Sequence, residues 1–166
     1  MTTIAYKDGT LAADSRVTVD SEAGGSRNFL CDKLFRKIVP VGDSMEEVII
    51  ATAGESFSGM VFVDWYGSGQ PPPDNLIVGE ADFTVLVLTQ AGLFEYDRWC
   101  RGIEVKDKFY AVGSGTKVAL GAMAMGASAK RAVEIACEFD PYTAPPVLTM
   151  RLRKTKTITE GEQNAD

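Results

Sequence analysis

Thr2 is the residue on which chemistry can be built first. A small residue after Met1 favours removal of the initiator methionine, which would make Thr2 the N-terminus. A threonine with a free α-amine carries a nucleophile and a base on one residue, and can run covalent catalysis without histidine. The chain contains no histidine. That excludes histidine-based hydrolysis and His-ligated zinc, and a serine or cysteine nucleophile elsewhere has no visible base. Met-Thr is also how many ordinary chains begin, so the residues that accompany it decide its role.

Those residues come in short groups. Asp14-Ser15-Arg16-Val17-Thr18 closes the second strand, Lys33 precedes the third, and Ala53-Gly54 stands where the fourth strand meets a helix. Gly113-Ser114-Gly115 opens the helical half, and Asp140-Pro141-Tyr142-Thr143 closes it. A buried lysine beside a carboxylate sets a positive field that eases deprotonation of a nearby hydroxyl. Taken alone, Lys33 in CDKLFRK reads more readily as a surface lysine, and Gly113-Ser114-Gly115 reads as a helix cap. The latter lacks the Lys-Ser/Thr ending of a phosphate-binding loop.

The elements that must position these groups follow from period and punctuation. Residues 3–8 and 10–14 read as a hairpin closed at Asp8-Gly9. Further strands are expected at Leu34–Val41 and Val48–Ala53, with a loop at Gly42-Asp43. Phe57, Met60, Val61 and Trp65 fall on one face of a helix that starts near Glu55 and ends by Gly67-Ser68-Gly69. Pro71-Pro72-Pro73 forbids its resumption. Strands return at Phe83–Thr89, Leu93–Tyr96 and Lys108–Val112. Residues 115–126 and 127–139 then read as helices broken at Gly126, with Val118, Met125, Ala129, Ala132, Val133 and Ala136 as their apolar face. Val147–Leu152 is a last strand, and a polar tail, expected to fray, follows from Lys154. Strands in hairpins and helices in blocks predict an α+β fold, with antiparallel sheets and helices on their outer faces.

Composition narrows the class. The 166 residues suit one domain, with 45% hydrophobic residues to fill a core. A net charge of −6 argues against a nucleic-acid partner. Cys31, Cys100 and Cys137 have neither metal nor redox spacing and read as reduced thiols. With no signal peptide and no apolar run near the roughly 20 residues of a membrane span, a cytoplasmic protein without a membrane partner is expected.

In their order, starting from a threonine at the first mature position, these segments resemble the proteasome β-subunit family. That family includes the bacterial HslV-type peptidases, which are N-terminal nucleophile hydrolases. The resemblance covers roughly residues 2–152 and is most specific in TTIAYKDGTLAADSRVT, AVGSGTKVALGAM and DPYT. It implies a four-layer αββα sandwich over residues 1–153, with 154–166 as a tail. Because Pro71–Asp82 leaves little room for a second helix, the layer after the fourth strand is expected to be reduced.

The resemblance also implies roles. Thr2 matches the nucleophile, Asp14 and Lys33 the ionic pair beside it, and Gly54 the oxyanion-hole glycine. Ser114, Asp140 and Thr143 match the set that supports the terminal amine. Val17, Cys31, Phe35, Thr52 and Ser56 match the pocket for the residue before the cleaved bond, here small or apolar. The backbone of Thr18 and Gly54 would hold the peptide extended. The carbonyls of Cys137, Asp140 and Thr143 match a structural cation site, for a monovalent or divalent ion. No cofactor is implied for catalysis.

The activity implied is threonine-type endopeptidase, acting on peptides or unfolded protein. Its implied setting is a ring of six or seven subunits, single or stacked, fed by an AAA+ ATPase. Two other functions use the same chain differently: an amidohydrolase acting on a small amide, and a non-catalytic ring subunit. The second predicts loss of Thr2, Asp14 or Lys33, and all three are present.

Overall fold

The computed structural model describes residues 2–20, 25–77 and 82–153. The tail expected from Lys154, and Met1, lie outside the described residues.

Strand β1 (Thr3–Lys7) turns back into β2 (Thr10–Ala13). Asp8 and Gly9 make that turn with φ of 51° and 72°, the doubly positive backbone that matches the twist of a tight hairpin. A two-stranded ribbon follows, β3 (Arg16–Asp20) with β4 (Ser26–Leu30). Then come β5 (Leu34–Val41) and β6 (Ser44–Gly54), helix α1 (Ser56–Trp65) and the single turn α2 (Asp74–Ile77). The second half holds β7 (Phe83–Thr89), β8 (Gly92–Tyr96), β9 (Gly102–Val105) and β10 (Phe109–Gly113). Helices α3 (Thr116–Ala124) and α4 (Ala129–Phe139) and strand β11 (Leu148–Arg151) complete the described chain.

The strands form two main antiparallel sheets, in the orders β10-β1-β2-β11 and β5-β6-β7-β8-β9. Alternation along each strand decides the layers. In the first sheet, Ile4, Leu11, Ala13 and Val112 point between the sheets, while Ala5, Ala12 and Ala111 point to α3 and α4. In the second, Ile49, Ala51, Ala53, Leu86 and Leu88 face the first sheet. Val48, Ile50, Val85 and Val87 face α1 instead, packing on Phe62 and Val63. Two apolar faces per sheet require cover on both sides, and the result is the four-layer αββα sandwich. The helical layer over the second sheet is reduced: α2 spans only four residues.

Several expectations are corrected. Helix α1 does not bury Phe57 and Met60, which are 81% and 39% exposed; it buries Gly59, Phe62 and Val63. A helix apolar on most of its surface carries no dominant stripe, so periodicity cannot choose the buried face. Gly59 sits on Thr52, where an added Cβ would come within 3.0 Å of the Thr52 side chain. In the helical pair, Met123 and Ala119 are buried where Val118 and Met125 were expected; Met125 is 89% exposed. The break does fall at Gly126, with φ of 102°, and Ser128 caps α4 by accepting the Arg131 N–H at 3.2 Å.

Candidate active site

The chain places Thr2 one residue ahead of β1, and β10 leads straight into its backbone. The Ser114 N–H donates to the Thr2 carbonyl at 2.8 Å. That approach demands glycine at 113: its φ is 97°, and a Cβ there would stand 1.8 Å from the Thr2 carbonyl oxygen. Thr2 is only 4% exposed, although it lies at the end of a strand.

Asp14 follows the last residue of β2 and is fully surrounded. Its Oδ1 accepts the Thr3 N–H and the Lys33 ammonium, each at 2.9 Å. Its Oδ2 accepts the Arg16 and Ala144 N–H groups at 3.1 and 3.2 Å. These four donors leave neither carboxylate oxygen unpaired. Lys33 stands just before β5, where its own carbonyl accepts the Thr52 N–H at 3.0 Å. Its Nζ also donates to the Arg16 carbonyl at 2.5 Å. Burial pushes the Lys33 ammonium below its ordinary range, outweighing the attraction and hydrogen bond of Asp14. Lys33 is therefore a buried, paired lysine, and the surface-lysine reading is set aside.

A second network lies on the far side of the β1 backbone. Ser114 Oγ donates to Asp140 Oδ2 at 2.6 Å, and the Thr143 hydroxyl donates to the same oxygen. The Thr143 proton is thereby spent, so the Thr3 hydroxyl must donate to Thr143 Oγ1 across 2.6 Å. Thr3 Oγ1 in turn accepts the Gly115 N–H at 3.1 Å. Burial raises the Asp140 carboxyl, but the hydrogen bonds from Ser114, Thr143 and the Tyr142 N–H outweigh it and hold it below its ordinary value.

Three cavities meet at Thr2. A small one of about 30 Å³ is lined by Val17, Cys31, Lys33, Thr52 and Gly54, among others. An outer one of about 510 Å³ continues to Thr18, Phe29, Ser56 and Met60. A third of about 290 Å³ lies toward Gly113, Ser114 and Asp82. Gly54, with φ of 92°, lines all three; a Cβ there would come within 2.4 Å of the Asp82 carbonyl oxygen.

The structure thus brings together Thr2, Lys33, Gly54, Val17, Thr18, Cys31, Thr52, Ser56 and Ser114 around these cavities, with Asp14 behind Lys33 and Asp140 and Thr143 behind Ser114. Phe35 is the exception. It packs on the α1 side of its sheet, against the core of Val39 and Phe62, and lines none of the three cavities. Neighbouring Leu34 takes the inter-sheet side, so alternation sends Phe35 the other way. Thr3, Phe29, Phe57 and Met60 belong to the site without having been expected there. The Thr-Thr pair was visible in the sequence, but nothing in it marked the second hydroxyl as a relay.

For the cation, carbonyl oxygens suit a hard ion, and Pro141, four residues after Cys137, has no N–H to give that carbonyl. The Asp140 carbonyl already accepts the Thr143 N–H at 3.1 Å. Among the described residues no group of three or more His, Cys, Asp or Glu side chains is placed to hold a metal. None of their helices is long and apolar enough to cross a membrane.

The chain has the fold of the HslV/proteasome-type peptidases. BPH of Thiobacillus denitrificans in complex with epoxomicin aligns with TM-score 0.57 and 24% identity over 92% of this chain and 99% of that one. A second structure of the same BPH gives TM-score 0.56 and 25% identity over 92% and 98%. Eukaryotic HslV from Trypanosoma brucei gives TM-score 0.60 and 18% identity over 90% and 99%. No family model and no curated protein matches the sequence.

Proposed function

We propose that this chain is a threonine-type endopeptidase of the N-terminal nucleophile class. One observation carries the reading: Thr2, the first residue after Met1, is buried in a cavity it shares with a paired, desolvated Lys33, in a chain without histidine.

In this reading Met1 is removed and the α-amine of Thr2 takes the proton from its own Oγ, directly or through one water. Lys33, held by Asp14, lowers the cost of the alkoxide. Oγ attacks the peptide carbonyl, and the Gly54 N–H receives the developing oxyanion, a contribution of about 3–4 kcal/mol for one such donor. Collapse breaks the C–N bond, and the ammonium proton leaves with the departing amine. An ester on Thr2 Oγ remains. Water, deprotonated by the same amine, attacks the ester, releases the carboxylic acid and restores Thr2. Ser114, Asp140 and Thr143 hold the backbone around that amine, and the Thr18 and Gly54 backbone aligns the peptide as an added strand.

Peptides or unfolded proteins are the substrates, in a cytoplasmic ring of six or seven subunits with an AAA+ ATPase as feeder. The carbonyls of Cys137, Asp140 and Thr143 hold a structural cation. Intact mass together with peptide cleavage tests the core of this. Processed protein beginning at Thr2 is expected to cleave short peptides, to be modified at Thr2 by epoxomicin, and to lose all turnover as Thr2→Ala. Equal rates from protein that retains Met1 would overturn the mechanism. An active particle no larger than a dimer that cleaves small amides but not peptides would point to the amidohydrolase.

A further inference from the structure

The hydroxyl of Thr3 stands where packing alone would not put one. Thr3 and Ala5 share a face of β1, and Ala5 packs with Ala12 and Ala111 against Ala119 and Ala132 of the helices. Thr3 is 0% exposed on that apolar side. Valine has nearly the same shape and would fill the space without the cost of burying a polar group. The Thr3 hydroxyl is used twice instead. It accepts the Gly115 N–H at 3.1 Å and donates to Thr143 Oγ1 at 2.6 Å. The approach to Gly115 is so close that it demands glycine, since a Cβ at 115 would stand 2.2 Å from Thr3 Oγ1.

Both partners lead to Ser114. Gly115 is the next residue along the chain. Thr143 reaches Ser114 through Asp140, because both hydroxyls donate to the same carboxylate oxygen, Oδ2. An ionised carboxylate only accepts, so the dipoles run in one order: from the Gly115 N–H to Thr3, from Thr3 to Thr143, and from Thr143 to Asp140. Each donor in such a series strengthens the next. Ser114 is also pinned by its own N–H, which donates to the Thr2 carbonyl at 2.8 Å. It is therefore held by that N–H, by its hydroxyl and by the N–H that follows it. Thr3 governs the last of these directly and the hydroxyl through Thr143 and Asp140. Ser114 in turn lines one of the cavities that meet at Thr2.

We infer that Thr3 is a positioning residue for the reaction at Thr2: its hydroxyl closes the ring of hydrogen bonds that sets Ser114 beside the terminal amine. The inference rests on the peptidase reading, in which that amine moves the proton of Thr2 Oγ. Thr3 touches neither substrate nor reacting atoms and acts through the placement of Ser114.

Peptide turnover by Thr3→Val, Thr3→Ala and Thr3→Ser tests this, and either of the first two that keeps a cooperative thermal melt serves. Loss of the oxygen is expected to lower kcat at least about 10-fold, since a displacement of about 1 Å can cost about 100-fold. KM should stay within about 2-fold of wild type, because no contact with the peptide is removed. Thr3→Ser, which keeps the oxygen, should hold kcat within about 3-fold. Gly126→Ala, strained at a site remote from Thr2, is the control that loses melting temperature and keeps kcat. A double-mutant cycle reads the route, with the rate of Thr2 modification by epoxomicin followed by intact mass. In a Ser114→Ala background the group to be placed is gone, and removing the Thr3 hydroxyl should slow modification less than about 2-fold further. A normal kcat without the Thr3 oxygen, a kcat that merely tracks melting temperature across the variants, or an equal loss in both backgrounds overturns the role of Thr3 and leaves the peptidase reading intact. Wild-type protein that neither cleaves peptides nor takes epoxomicin at Thr2 overturns both.

Discussion

Lys33 Nζ and Asp14 Oδ1 lie 2.9 Å apart with side chains only 5% and 0% exposed, and the two partners are not equally replaceable. Asp14 also binds three backbone N–H groups, from Thr3, Arg16 and Ala144. Asp14→Ala strands those donors and leaves the ammonium without its counter-charge, a loss of about 3–5 kcal/mol. Lys33→Met leaves Asp14 with its three amides, orphans only the Arg16 carbonyl, and is expected to cost less, about 1–3 kcal/mol. Urea unfolding of both variants decides it; the reverse order would contradict this account. Activity should fall about 100-fold or more in either.

The depressed Lys33 pKa fixes a sign for stability against pH. Burial, outweighing Asp14, holds the folded group below its ordinary 10.5. Between the folded value and 10.5 the unfolded chain binds more protons, so this group makes stability rise with pH. Tyr110, raised to about 12 chiefly by its hydrogen bond to Glu95, acts in the opposite sense in the same alkaline range. That effect is common to wild type and Lys33→Met. The stability of wild type relative to Lys33→Met should therefore increase as pH approaches 10.5. Urea midpoints taken from pH 7 upward check this, and a flat or falling difference counts against it.

Thr143 relays between Thr3 and Asp140 through one proton each. Thr143→Val removes the acceptor of a fully buried Thr3 hydroxyl and is expected to cost about 1–3 kcal/mol. Thr143→Ser, which keeps the oxygen and loses only a buried methyl, should cost about 0.8 kcal/mol. On the acid side, the Asp140 pKa lies below its ordinary 3.8. Its contribution is present above that value and disappears as pH falls through the folded one. Asp140→Asn should remove this acid-side slope, as acid unfolding curves would register.

Gly113 and Gly126 both have positive φ, but only Gly113 faces another chain segment, the Thr2 carbonyl. Gly126→Ala should cost only the backbone strain, about 1–2 kcal/mol, without changing kcat. Gly113→Ala must also displace Thr2, and a shift of about 1 Å at a reacting group costs about 100-fold. Peptide turnover compared with melting temperature separates the two effects. A Gly113→Ala protein with normal turnover would mean that Thr2 is not the reacting residue.

Much of this arrangement was readable from local signals. Asp8-Gly9 specifies a hairpin wherever it sits, because the turn needs two positive φ angles in succession. The apolar runs of β6 and β7 and the helix break at Gly126 are similarly local. The order of Thr2, Asp14, Lys33, Gly54, Ser114, Asp140 and Thr143 along the chain also suffices to suggest the chemistry. Periodicity could not reveal β4 and β9, which are largely exposed and lack an apolar alternation to announce them. Nor could it reveal which face α1 buries, since that helix is apolar on most sides.

Tertiary structure alone decided the rest. Asp14 and Lys33 are 19 residues apart, and only the turn of the chain through the β3–β4 ribbon brings them to 2.9 Å. Lys33 is desolvated because Asp14, Arg16 and Thr52 surround it, from segments that no single local window contains. Phe35 and Cys31 both flank Lys33 closely in sequence. One is carried into the α1 core and the other into the cleft, because strand β5 begins at Leu34 and sets the alternation from there. The pairing of Val17 with Phe29 and of Val19 with Arg27 likewise exists only as a register between strands. Covalent order therefore names the reactive groups, while burial, register and distance, which depend on segments remote in the chain, determine what those groups can do.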